Sequence, residues 1–166
     1  MIVLINTDID QFTLVLQSKD GHSFDEWHDW MAMHIINTFL LHSRILTVFE
    51  NFGQADVKLP EGYTNGFSVN NSPFYLCIAY NEAFSKMGVI VKFSAYAWHE
   101  YRKRYKKTFE KDINLHSFFK MIESDEYTFR LSRVDLYCDF INENINIAKL
   151  KRSLEEGRTE IRYGKY

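Results

Sequence analysis

An α+β fold, with a largely antiparallel sheet and helices packed on it, is predicted from three features of the chain. Short apolar runs of strand length are interspersed with stretches of helical periodicity. Their order lacks the regular β-α-β-α rhythm of a doubly wound sheet. Only 7 Gly and 2 Pro occur in 166 residues, which leaves little linker and predicts a single domain with a sizeable core.

The elements follow in order. Residues 2–5 and 12–17 are apolar runs suited to two strands, joined by a loop that carries Asp8 and Asp10. Ser23 and Glu26 form a capping-box signal before a helix. Trp27, Trp30, Met31, His34, Ile35, Phe39 and Leu40 recur at helical spacing and predict its core face. Pro60, Gly62 and Gly66 mark turns within 45–66. Residues 74–80 and 88–94 read as strands linked by 81–86. A helix is expected from about 95 to 110, a shorter one over 115–122, and a long strand over 128–140. Asn146 is placed to cap a last helix, 147–156, and Gly157 to end it.

Several function classes are disfavoured. No run of about 18 apolar residues encodes a membrane span, and the opening residues lack the basic start of a signal peptide. A cytoplasmic protein is expected. Cys77 and Cys138 sit in apolar runs and read as buried, reduced thiols. Among the 6 histidines no H-x-H or H-E-x-x-H pattern occurs, and His28 reads as a packed or surface residue. Nucleotide-phosphate loops and the G-x-S-x-G elbow are also absent. Most of the 14 Phe, 10 Tyr and 3 Trp are assigned to the core.

Two segments carry chemistry. Residues 131–140 alternate strictly: Val134, Leu136, Cys138 and Phe140 form an expected core face, while Arg133, Asp135, Tyr137 and Asp139 share the other. Aspartate is depleted in strands, so two on one face suggest function. Asp135 and Asp139 would lie about 13 Å apart on a regular strand, too far to ligate one ion directly without a bulge. Hard oxygen ligands of this kind suit Mg²⁺ or Mn²⁺. Residues 101–107 form a basic helix, with Arg102, Lys103, Arg104, Lys106 and Lys107 as phosphate contacts and Tyr101 and Tyr105 placed to stack on bases. The formal charge of −2 argues against a nucleic-acid partner only as an average. Residues 1–100 carry 5 Lys/Arg against 11 Asp/Glu, net −6, and residues 101–166 carry 15 against 11, net +4.

The chain resembles the replication initiation factors of rolling-circle plasmids and conjugative elements of Gram-positive bacteria, which are related to MobT-like relaxases. The resemblance rests on Gly88-Val-Ile-Val-Lys-Phe-Ser94 before a helix, on Arg133-x-Asp135-x-x-x-Asp139, and on Ile9-Asp10-Gln11-Phe12. Ala95 stands where the family usually has glycine. The resemblance implies an origin-specific nicking-joining endonuclease acting through a tyrosine, with Asp135 or Asp139 ligating Mg²⁺ or Mn²⁺ and Arg133 beside the phosphate. It also implies origin DNA as partner, with a homodimer and a host helicase. Tyr163, in Arg162-Tyr163-Gly164-Lys165, partly matches the family's R-x-Y-[DE]-K strand. The expected reading is the N-terminal part of a longer initiator, whose catalytic segment follows. The alternative is a non-catalytic DNA-binding or dimerisation module of a mobile element.

Overall fold

Residues 4–141 and 146–158 are described by the computed structural model. The chain divides into two compact units, one of Asp8–Tyr137 and the other of Met1–Thr7 with Cys138–Tyr166. Strands β1 (Leu4–Ser18), β2 (Phe52–Gln54), β3 (Asn65–Val69), β4 (Leu76–Tyr80), β5 (Val89–Phe93) and β6 (Tyr127–Ile141) form one sheet in the order β2-β3-β4-β5-β1-β6. The pairs from β2 through β5 to β1 are antiparallel, with Phe12 opposite Phe93 and Phe67 opposite Ile78. Beside β1, β6 runs antiparallel as well: Thr128 donates to the Gln17 carbonyl and Ser132 to the Thr13 carbonyl. The expected α+β architecture is therefore present.

One sheet face carries Phe12, Leu14, Leu16, Leu76, Ile78, Val89, Val91 and Phe93, and the helices pack there. These are α1 (Phe24–Glu26), α2 (Ala32–Ser43), α3 (Ile45–Val48), α4 (Ala95–Phe109) and α5 (Leu115–Met121). Phe118 of α5 sits at the junction, with its ring against Phe12, Phe39, Phe93, Trp98 and Tyr101. Burying a side chain of this size contributes about 1.5–3 kcal/mol. All five residues of β4 are buried, as befits an interior strand. On the opposite face, residues 55–64 are tied to the sheet by hydrogen bonds from Ala55 N–H to the Gly66 carbonyl and from Asn81 Nδ2 to the Gly62 carbonyl.

Three expectations change. Asp8 and Asp10 belong to one continuous strand, β1: β5 pairs with it only over Phe12–Leu16, and the 15-residue β6 is its other neighbour in the sheet. The first helix starts at the Ser23–Glu26 capping box as expected, but a π-helical turn, Trp27–Met31, interrupts it. There Trp27 is buried, with its indole N–H donating to the Asn81 carbonyl at 2.8 Å. The extra residue in that turn rotates the following face. Ala32, Ile35, Ile36, Phe39 and Leu40 are buried, while Trp30 and His34 are exposed. Finally, Cys77 is buried but Cys138 is exposed.

In the second unit, α6 (Ile147–Glu155) begins where Asn146 accepts from Lys149 N–H at 2.9 Å, and Gly157 follows at φ 68°. Its apolar residues Ile147 and Leu150 are exposed.

Candidate nucleic-acid interface

The polar row of β6 starts inside the core. Tyr127 is buried, its hydroxyl donating to the Ile122 carbonyl, and Phe129 packs against Phe119 of α5. Arg133, Asp135 and Tyr137 continue that alternate row. The sequence had assigned the other row to the core, and the structure reverses it: Val134 is 40% and Leu136 74% exposed, and Cys138 is exposed too. The reason is position, since the helices cover the face that carries Tyr127 and Phe129.

Arg133 grips Asp135 with two hydrogen bonds, Nε to Oδ1 at 2.9 Å and Nη2 to Oδ2 at 2.6 Å. Gln11 Nε2 adds a third at 2.5 Å. The Arg133 hydrogen bonds, then Gln11, hold the Asp135 carboxyl down to about 2. A carboxylate so engaged does not fit a metal site unless the guanidinium leaves, because the Arg133 charge opposes a cation. Asp139 lies in the other unit, exposed and without a partner among the described residues. No three His, Cys, Asp or Glu side chains converge on a metal position among the described residues. Tyr163 lies outside them.

The basic helix α4 begins at Ser94, whose hydroxyl accepts from Ala97 N–H and from Tyr75 N–H. Ala97, Trp98 and Tyr101 are buried, and Tyr105 and Phe109 extend the same stripe. Tyr101 is 0% exposed and donates to the Ser43 carbonyl at 2.6 Å. This corrects its reading as a base-stacking residue, because its periodicity is that of the core stripe. Tyr105 is half-buried against Phe109, with ring centroids 4.6 Å apart.

The helix sorts its cations by direction. Lys106 pairs with Asp112 at 2.9 Å. Lys103, Arg104 and Lys107 turn to a groove of about 650 Å³ against α3, where Thr47 and Thr108 add hydroxyls and Glu50 and Glu100 add carboxylates. Glu100 accepts from Arg104 at 3.3 Å and lies 3.6 Å from Lys103. Arg104 also lies over the Phe49 ring, 5.3 Å from its centroid. Lys107 has no partner among the described residues. The three cations outnumber the two carboxylates by one, and their N–H groups are the donors such a groove can offer a phosphate.

Arg102 turns the other way, to Asp8 on β1, forming a short ion pair. Burial raises the Asp8 carboxyl, but the Arg102 hydrogen bond and the Ile9 N–H outweigh it and hold it below its usual range. Beside this pair lies a cleft of about 360 Å³, lined by Asp10 of β1, Tyr96 and His99 of α4, and Tyr137 of β6. The sequence places Tyr137 on the polar row of its strand but gives Asp10 and His99 no site role. An aspartate inside a strand was the available signal for Asp10. His28 is exposed and pairs with Asp29 at 3.0 Å.

No protein-family model matches the chain, and no curated protein matches it. Among solved structures, the rolling circle replication initiator protein from Geobacillus stearothermophilus matches with a TM-score of 0.64 and 15% sequence identity. The match covers 97% of this chain and 54% of the initiator, so this chain spans about half of that protein's length. No helix among the described residues is long and apolar enough to cross a membrane. The chain thus shares its α+β fold with a rolling circle replication initiator.

Proposed function

We propose that this chain is part of a replication initiator of the rolling-circle type, which binds its origin and nicks one strand to start replication or conjugative transfer. The observation that carries this reading is the fold match over 97% of the chain to a replication initiator. The groove on α4 supports it, since its three cations against two carboxylates leave a net positive surface of the sign that single-stranded DNA needs. In the proposed reaction a tyrosine hydroxyl attacks a backbone phosphate. A bond forms from the tyrosine oxygen to phosphorus, the bond to the 3′ oxygen breaks, and that oxygen takes up a proton. The products are a 5′-phosphotyrosine link and a free 3′-OH.

Tyr163, or a tyrosine further along the whole protein, is the nucleophile in this proposal. A divalent Mg²⁺ or Mn²⁺ belongs to it too, and would supply charge stabilisation at the phosphate. In this reading Asp139 has no ion pair among the described residues to lose before ligating, whereas Asp135 must release Arg133. Lys103, Arg104 and Lys107 hold the strand. A homodimer, a host helicase and a cytoplasmic setting follow from the same reading.

The test is covalent capture. The full-length protein is incubated with single-stranded oligonucleotides tiled across the DNA flanking its gene. A nicking initiator turns a 3′-labelled strand into a protein-linked species on a denaturing gel and shortens the 5′-labelled strand. DNA binding with no adduct on any tile, with Mg²⁺ or Mn²⁺ present, points instead to a non-catalytic DNA-binding module.

A further inference from the structure

We propose that the cleft between β1, α4 and β6 is a reading pocket for an unpaired guanine, with Asp10 as the group that reads it. The inference rests on the DNA-binding reading above and assigns a base to a site on the same helix.

The cleft holds two carboxylates with different fates. Asp8 is locked by Arg102 and the Ile9 N–H. Asp10 has no hydrogen-bond or ion-pair partner among the described residues, although it is half-buried. A half-buried carboxylate with no partner is an acceptor waiting for donors. Around it stand three rings, Tyr96, His99 and Tyr137, and none of the three has a hydrogen bond among the described residues. Planar rings beside an acceptor call for a flat ligand that carries N–H groups. A phosphate is excluded by charge, so a strand entering here presents a base.

The Watson–Crick edges differ in what they offer a carboxylate. Guanine presents two neighbouring donors, N1–H and N2–H, which match both carboxylate oxygens. Adenine and cytosine offer one amino group beside a ring acceptor that the carboxylate repels. Thymine offers one N–H between two carbonyls. Only guanine makes two favourable contacts, and its edge is free only when unpaired.

The phosphates then have a path. His99 and Lys103 are neighbours one turn apart on α4, and Lys107 follows one turn later. From His99 to Lys107 the helix rises about 12 Å. A strand with its base in the cleft thus passes its phosphates along α4 into the basic groove.

The experiment measures fluorescence anisotropy of labelled T-rich octamers carrying one central guanine, inosine, adenine or cytosine. The expected result is that the guanine octamer binds about tenfold tighter than the adenine one, since a good bidentate contact discriminates by this order. Inosine, which lacks the N2 amino group, falls between them. Asp10→Asn replaces one acceptor with a donor, which suits the adenine edge, so the preference moves from guanine toward adenine. In parallel, guanosine alone is titrated against the His99 and Tyr137 ring signals by NMR. Equal binding of all four octamers, unchanged by Asp10→Asn, overturns the guanine pocket and leaves DNA binding standing. Guanosine binding that Asp10→Asn abolishes, with no octamer bound, keeps the pocket and overturns the DNA reading.

Discussion

Replacing Lys103, Arg104 and Lys107 together with alanine removes the three cations that line the α4 groove. Each phosphate neutralised on single-stranded DNA contributes about 0.7 to the slope of log affinity against log salt. Three contacts therefore account for a slope of about 2, which means roughly a twentyfold smaller affinity change between about 50 and 200 mM salt. The three are unequal. Lys107 is unpaired among the described residues, so it gives its full share. Lys103 and Arg104 must first be drawn from Glu100, so Glu100→Gln tightens binding by freeing both. Lys106 is held by Asp112 and lies outside the groove lining, so Lys106→Ala serves as the near-silent control. Stability changes little, because the three side chains are exposed and the Arg104–Phe49 contact contributes about 0.5–1 kcal/mol. The assay is anisotropy of a labelled single-stranded oligonucleotide across a KCl series, with a thermal melt for each variant. A triple variant that melts normally and keeps the wild-type salt slope refutes the groove as the DNA track.

Three further outcomes follow from the packing and the charges. Phe118→Ala empties the ring junction where β1, β5, α2, α4 and α5 meet, and urea unfolding is expected to lose about 3–5 kcal/mol. Gly88→Ala places a Cβ 2.4 Å from the Leu16 carbonyl oxygen at a φ of 67°, so a loss on the order of 1–3 kcal/mol is expected from strain alone; an unchanged melting temperature contradicts the geometry. The Asp135 carboxyl, followed by NMR, should titrate near about 2, below its ordinary 3.8. Its folded value is depressed, so the stability from the Arg133 pair is complete above about 4 and fades as pH falls through about 2. Arg133→Gln should return the titration toward the ordinary value.

Local signals carried most of the fold. Ser23 with Glu26, and Asn146, are caps that act within three residues, so they are legible wherever they stand, and each starts its helix here. The uniformly apolar run of β4 and the alternation of β5 are equally local. What failed depended on distant partners. Asp8 and Asp10 look like loop residues until the long strand β6 is seen beside β1. The π turn at Trp27 serves a hydrogen bond to Asn81, 54 residues away, and no periodicity announces it. Alternation along β6 was readable, but which row faces the helices was not. Leu136 looks like core and is exposed, whereas Arg133 and Asp135 continue the row of Phe129.

The candidate site was half legible for the same reason. Arg102 to Lys107 are contiguous, so their charge shows in the sequence, but their division between two sides of α4 depends on Asp8 and Glu100. That division gives the chain's charge its meaning. The acidic first part supplies Asp8 and Asp10 to one side of α4, and the helix's own lysines and Arg104 line the other. On the proposed reading, phosphates favour the second side and base donors the first. A single strand can satisfy both sides at once, with its bases turned in and its backbone turned out. A duplex cannot, because its base edges are already paired. A net charge near zero is therefore compatible with a DNA partner here: the two signs occupy different sides of one helix, and each suits a different end of the nucleotide.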